Sequence, residues 1–314
     1  MWSTHPKEDK PDFLPEAKDA QTSTLSPNGR WMIELKANRN VRLIEVPSFR
    51  EVVRWSLPDS LTNVLELAVS SDATQVACCD SAGTVVVMNS FTRVPLKTFV
   101  LGESGIRGLE FSREGAVLAA CDSSQVVVWS TGTYSERCRF RQRASPPGTY
   151  SDLDLSSDGR RLGVRFGDGR VAVYRDLDRD EPVVWKAHRG YVMGLAFFQD
   201  GRIATAGADA RLKTWDVETQ RETVIGRALN AFFSAALDLD SGRLASGAGE
   251  GLIRIYDPIR GHQLMTLRSD TGYMGRVRFM DDGNTLVSLG WSGLQVWSAP
   301  SWEEIRREEK EKVN

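Results

Sequence analysis

Residues 187–216 read AHRGYVMGLAFFQDGRIATAGADARLKTWD. Tyr191 to Phe197 alternates in character, Gln199-Asp200-Gly201 interrupts it, and Arg202 to Ala206 and Arg211 to Trp215 follow as two further short runs. Short runs with a period of two, separated by Gly and Asp, are the pattern of antiparallel hairpins. A fourth run, Glu222 to Ile225, completes a unit of four strands.

The turn in that stretch has the form apolar, polar, x, Asp/Asn/Glu, Gly, and it recurs along the chain. Its last residue falls at Gly29, Ala73, Gly115, Gly159, Gly201, Gly242 and Gly283, with spacings of 44, 42, 44, 42, 41 and 41. A period of roughly 40 to 45 residues is that of one four-stranded propeller blade. Seven markers predict seven blades. The third strand of each unit carries a large side chain at one register: Ile44, Met88, Trp129, Tyr174, Trp215, Tyr256 and Trp297. Such residues fill the space between neighbouring sheets, which is buried only when the ring closes.

At these positions the chain resembles the WD40 repeat family, over about Gln21 to Trp297. Residues 187–216 match best, with Ala187-His188 before the first strand, Thr205 and Asp209 around the second, and Trp215-Asp216 closing the third. The resemblance implies that His188, Thr205, Asp209 and Trp215 form a hydrogen-bonded structural tetrad. Other units depart from the pattern: Val164 stands at the hydroxyl position before Asp168 and Tyr174, and Ser246, Glu250 and Tyr256 have no His upstream. Those units must be held by packing. The expected fold is therefore an all-β, seven-bladed WD40-type β-propeller over residues 20–299.

A ring needs its last blade completed, because an open blade leaves unpaired backbone along an exposed edge. The inner strand of the first blade is expected near Ala20 to Leu25, so the N-terminal arm, residues 1–19, is the source of a closing strand, with Phe13-Leu14 the preferred piece. Ser301 and Glu304 have the spacing of a capping box, which predicts a short charged C-terminal helix over residues 300–314. This ending resembles the WD40 arrays of bacterial serine/threonine kinase-type signalling proteins, implying a kinase domain on the same or another polypeptide. The chain itself has neither a Gly-rich phosphate loop before a Val-Ala-x-Lys-like strand nor a His-Arg-Asp loop.

The composition is that of a globular protein, 41% hydrophobic and 26% charged. A formal net charge of -2 offers no broad field for polyanions, so nucleic acid is not an expected partner. No basic start followed by an apolar stretch opens the chain, and no apolar run spans a bilayer; a soluble, cytoplasmic, monomeric protein is expected. Cys78, Cys79, Cys121 and Cys138 lack Cys-x-x-Cys spacing and read as reduced core thiols.

No catalytic residue, metal site or cofactor is expected. The histidines are His5, His188 and His262, none with a second ligand at metal spacing. Gly167-Asp168-Gly169 and Gly247-Ala248-Gly249 join strand to strand and read as turns rather than phosphate loops. Asp152, Asp154 and Asp158 lack the remaining ligands of a calcium loop. Arg137, Arg139, Arg141 and Arg143 alternate in an outer strand, reading as a charged edge against aggregation or, less favoured, as a docking stripe for an acidic partner.

Aligning the repeats puts Asn63, Gly105, Thr149, Tyr191, Phe233 and Tyr273 just before the first strand of blades two to seven. In the family this rim commonly meets partners. Tyr191, Phe233, Tyr273 and Trp291, framed by Arg107 and Arg276, form the candidate partner-binding patch, because rings and Arg dominate binding energies. The expected function is a non-catalytic scaffold or regulatory module binding a protein or peptide. The alternative is a propeller hydrolase with a site in the central channel, for which Asp152, Asp154 and Asp238 are the candidates.

Overall fold

The computed structural model describes residues 13–15, 20–102, 105–141, 150–179, 181–269, 274–290 and 292–298. Among them lie seven four-stranded antiparallel sheets. The helix expected within 300–314 falls outside the described residues, as do Tyr273 and Trp291.

In blade five the strands are Val192–Phe197, Ile203–Gly207, Arg211–Asp216 and Arg221–Arg227, paired in that order from the centre outwards. Blades one to six follow this chain order. Blade seven differs. Its inner three strands are Met274–Phe279, Thr285–Gly290 and Gly293–Ser298, and its outer strand is Phe13–Pro15, paired antiparallel with Gly293–Ser298. The two ends of the propeller thus share one sheet, which supplies the backbone partners an open last blade would lack.

The turn after each inner strand explains the repeated marker. Gly29, Gly115, Gly159, Gly201, Gly242 and Gly283 have φ between 61° and 93°, a region that a Cβ disfavours. Ala73 takes the seventh such turn at φ 60° and bears the strain that the glycines avoid.

Apolar packing falls into seven clusters, each drawing on two adjacent blades. Ile33, Leu43, Leu67 and Met88 join blades one and two; at the closing seam, Leu25, Met32 and Ile44 of blade one meet Met280, Val287 and Leu294 of blade seven. Each cluster holds one of the large third-strand residues: Ile44, Met88, Trp129, Tyr174, Trp215, Tyr256 or Trp297. All seven are at most 5% exposed. Burial of such a side chain stabilises by roughly 1.5–3 kcal/mol, so the seams carry much of the folding energy.

The chain crosses the channel floor in one further way. Arg113, in the turn after the inner strand of blade three, donates to Asp281 of blade seven at 2.6 Å. Asn28 of blade one also donates to Asp281, at 3.3 Å.

Candidate functional site

Three sets of polar side chains stand out: a buried network in blade five, the rim around it, and the lining of the central channel.

In blade five, His188 lies 2.8 Å from Asp209 through Nδ1 and 2.8 Å from Thr205 through Nε2. The Trp215 indole donates to the Thr205 hydroxyl at 2.8 Å. A carboxylate only accepts, so Nδ1 carries the proton towards Asp209, Nε2 accepts from Thr205, and every group in the row is satisfied with a neutral imidazole. Burial lowers the His188 pKa, although Asp209 pulls the other way. Burial works against the Asp209 carboxylate too, but His188 and the Arg189 backbone N–H hold its pKa below the ordinary value. Gly207 makes room for the ring: a Cβ there would stand 2.1 Å from His188 Nδ1. The network joins the loop entering blade five to its second and third strands, so its chemistry is structural.

Around it, the loops between blades and the turns between second and third strands form one face. Tyr191 is 59% exposed there, and Arg107 is exposed. Phe233 is only half-buried, its ring set against Gly249, where a Cβ would approach it to 3.2 Å. Arg276, also half-buried, borders a cleft of about 430 Å³ between blades seven and one, with Gln21, Thr22 and Leu289. The described members of the patch therefore spread over blades three, five, six and seven rather than forming one aromatic cluster.

Of the arginine row in blade three, Arg137 is paired with Asp178 at 3.1 Å, and Arg139 with Glu136 at 2.7 Å. A bulge between Val128 and Trp129 breaks the register opposite Arg137. Two of these guanidinium groups are thus engaged within the protein, and Arg143 lies outside the described residues.

Of the channel lining, the sequence singles out only Asp152, Asp154 and Asp238. Inner strands carry Glu66 in blade two, Glu110 in blade three, and Asp152 and Asp154 in blade four, whereas blade seven presents Arg276 and Arg278. Arg165, in the second strand of blade four, bonds Asp152 at 2.5 Å and Asp154 at 2.7 Å and also donates to the Met193 carbonyl at 2.8 Å. Arg278 bonds Glu110 at 3.3 Å, and the Leu155 N–H donates to the same carboxylate at 3.0 Å. Burial pushes the Asp154 carboxyl up to about 7 and raises Glu110 as well. Asp238, the third channel candidate, is bound by Arg243 at 2.7 Å. Each of the three channel candidates, Asp152, Asp154 and Asp238, is thus ion-paired with an arginine.

The alternating acids and arginines at Glu66, Glu110, Asp152, Asp154, Arg276 and Arg278 were visible in the sequence as polar positions of inner strands. Their convergence was not, because bulges at the start of five inner strands shift the register between Ala20/Thr22, Val64/Glu66, Tyr150/Asp152, Val192/Gly194 and Met274/Arg276. A bulge re-aims the side chain that follows it.

Comparison with known proteins agrees with this architecture. Residues 181–216 match the family described as WD domain, G-beta repeat. The chain is 29% identical over 122 residues to the DENN domain and WD repeat-containing protein SCD1 of Arabidopsis thaliana, covering 38% of this chain and 10% of that protein. It is 25% identical over 253 residues to apoptotic protease-activating factor 1 of Rattus norvegicus, covering 73% of this chain and 20% of that one. COMPASS component SWD3 of Saccharomyces cerevisiae is 26% identical over 163 residues, 47% of this chain and 50% of that protein. The chain thus spans between a tenth and a half of the length of these relatives. Among solved structures, the RRP9 WD40 repeats superpose with a TM-score of 0.75 at 17% identity, over 91% of this chain and 96% of that one. U3-55K gives 0.73 at 17% identity, over 91% and 100%. Blade five is a WD40 repeat by sequence and by its bonded row of side chains, and the chain as a whole is a seven-bladed WD40-type β-propeller.

Proposed function

We propose that this protein is a non-catalytic interaction module that binds a protein or peptide through the rim around Tyr191, Phe233, Arg107 and Arg276. The observation that carries the reading is Tyr191, a large ring 59% exposed on a loop anchored at both ends. The Ala208 N–H donates to its carbonyl at 2.9 Å, and the neighbouring His188 is locked to Thr205 and Asp209. A rigid, exposed aromatic loses little entropy on binding and offers a large contact area. One relative is by name a component of COMPASS, an assembly, which fits a module that works by association.

The channel reading is disfavoured by the ion pairs of Arg165 with Asp152 and Asp154 and of Arg243 with Asp238. Among the described residues, no three His, Cys, Asp or Glu side chains converge to hold a metal ion. Substitution of Tyr191, Tyr273 and Trp291 together by Ala is expected to leave the fold intact by circular dichroism and to abolish capture of the partner retained by the unmodified protein. Capture at undiminished yield refutes the rim.

A further inference from the structure

Four arginines, Arg189, Arg211, Arg227 and Arg268, lie along the rim of blades five and six, and none is ion-paired among the described residues. Arg211 opens the third strand of blade five and Arg227 closes its fourth, and the two are direct cross-strand partners. Like charges at such positions repel and are destabilising. Both lie on the strand face that carries Lys213 and Trp215 towards blade four, beside the loop bearing exposed Arg189. Arg268 ends the fourth strand of blade six, opposite Leu252. No ion pair or hydrogen bond engages the guanidinium group of any of the four among the described residues.

Two described carboxylates nearby, Asp209 and Glu250, are committed inwards. Asp209 faces His188 and the Arg189 N–H. Glu250 accepts the backbone N–H groups of Leu229 at 2.7 Å and Asn230 at 3.2 Å. Between the arginines stand the two most exposed apolar side chains of this region, Tyr191 at 59% and Leu229 at 89%. Backbone bonds make the surface continuous: Ala208 N–H to Tyr191, Ala228 N–H to Ala210, and Ser269 N–H to Gly251.

We propose that this edge recognises an acidic peptide segment carrying at least one apolar side chain, with Arg189, Arg211, Arg227 and Arg268 receiving its carboxylates and Tyr191 and Leu229 its apolar group. The proposal rests on the rim reading and gives it a partner chemistry. Unpaired guanidinium groups favour bidentate contact with carboxylates. A polynucleotide suits the site less well, because the chain has a formal net charge of -2 and offers no broad positive field to a polyanion.

The test is selection of a random dodecapeptide library on the full chain, followed by affinity measurement for the selected peptides. Expected are sequences rich in Asp and Glu with one Leu or aromatic residue, whose affinity falls with added salt and drops at least about ten-fold on R227E and on R189E. R227E is also expected to keep or raise the Tm, since it turns a repulsive cross-strand pair into an attractive one, which a merely structural role for Arg227 does not allow. Peptides without acidic excess, or peptides that bind R227E and R189E undiminished, overturn the proposal. So does displacement of the peptides by a short single-stranded RNA that binds more tightly. Peptides lost on Tyr191→Ala but indifferent to charge reversal sink the acidic class and leave the rim standing; peptides indifferent to both sink the rim as well.

Discussion

Blades five and six are neighbours with opposite internal economies. In blade five, Trp215, Thr205, His188 and Asp209 form an unbroken row of bonds, all 2.8 Å long. In blade six, Tyr256, Ser246 and Glu250 take the corresponding places, and no His precedes them. Arg254, opposite Ser246 as Lys213 is opposite Thr205, stands 5.8 Å over the Phe232 ring and 3.7 Å from Glu250. Blade six forms no such unbroken row: the Tyr256 hydroxyl, one Glu250 oxygen and one Arg254 nitrogen are buried without a hydrogen-bond partner among the described residues. The inner strand of blade six is also only Ala236–Leu237, against Val192–Phe197 in blade five. Both blades nevertheless bury their large third-strand residue, Trp215 at 4% and Tyr256 at 2% exposure. Packing between sheets therefore decides the fold, and the polar row adds local stability on top of it.

The largest test of this contrast is His188→Ala. It leaves Asp209 and Thr205 without their shared partner in a buried place, and the expected loss is about 2–4 kcal/mol, read as a fall in Tm by calorimetry. A loss under ~1 kcal/mol breaks the claim that the row matters beyond packing. Trp215→Phe, which removes the indole donor and some buried surface, is expected to cost about 2 kcal/mol in denaturant unfolding. Its counterpart Tyr256→Phe is expected to gain up to about 1 kcal/mol, because it deletes an unsatisfied hydroxyl. If the two ring substitutions destabilise equally, the comparison fails.

Acid and base sharpen the contrast with smaller effects. His188 is held neutral with a pKa below the ordinary 6.5, so the unfolded chain takes up its proton first as pH falls. Its contribution is complete above 6.5 and is lost below it. In H188Q this slope should disappear from the stability profile. Glu66 behaves in the reverse sense: burial pushes its carboxyl from 4.5 up to about 7, against the pull of Arg276. The folded form holds that proton while the unfolded chain has released it, so stability is lost as pH rises between these values. E66Q is expected to raise stability at pH above 7, by about 2 kcal/mol or less, and to change little at acid pH. Equal effects at both ends of the range would rule out the buried proton.

Much of the fold was legible because it is written in short range. The seven turn markers and the large side chains from Ile44 to Trp297 each depend on a few neighbouring residues, and they reappear as seven turns and seven seams. The row of blade five was legible from a family resemblance. The site was less so. Phe233 looked like an exposed rim aromatic but leans on Gly249, a contact set by a turn of its own blade. Leu229, the most exposed apolar residue of the rim, carried no mark in the sequence, since nothing local distinguishes it from a buried leucine.

By itself, the sequence determined the repeat, the number of blades and the side chains that fill the seams, because hydrophobic period and turn chemistry act over a few residues. Which polar groups meet across the ring was decided only by the tertiary structure: Arg113 with Asp281, Arg278 with Glu110, and the strand Phe13–Pro15 with Gly293–Ser298. Those partners are separated by most of the chain, and their encounter depends on closure, bulges and the tilt of each blade rather than on any neighbouring residue.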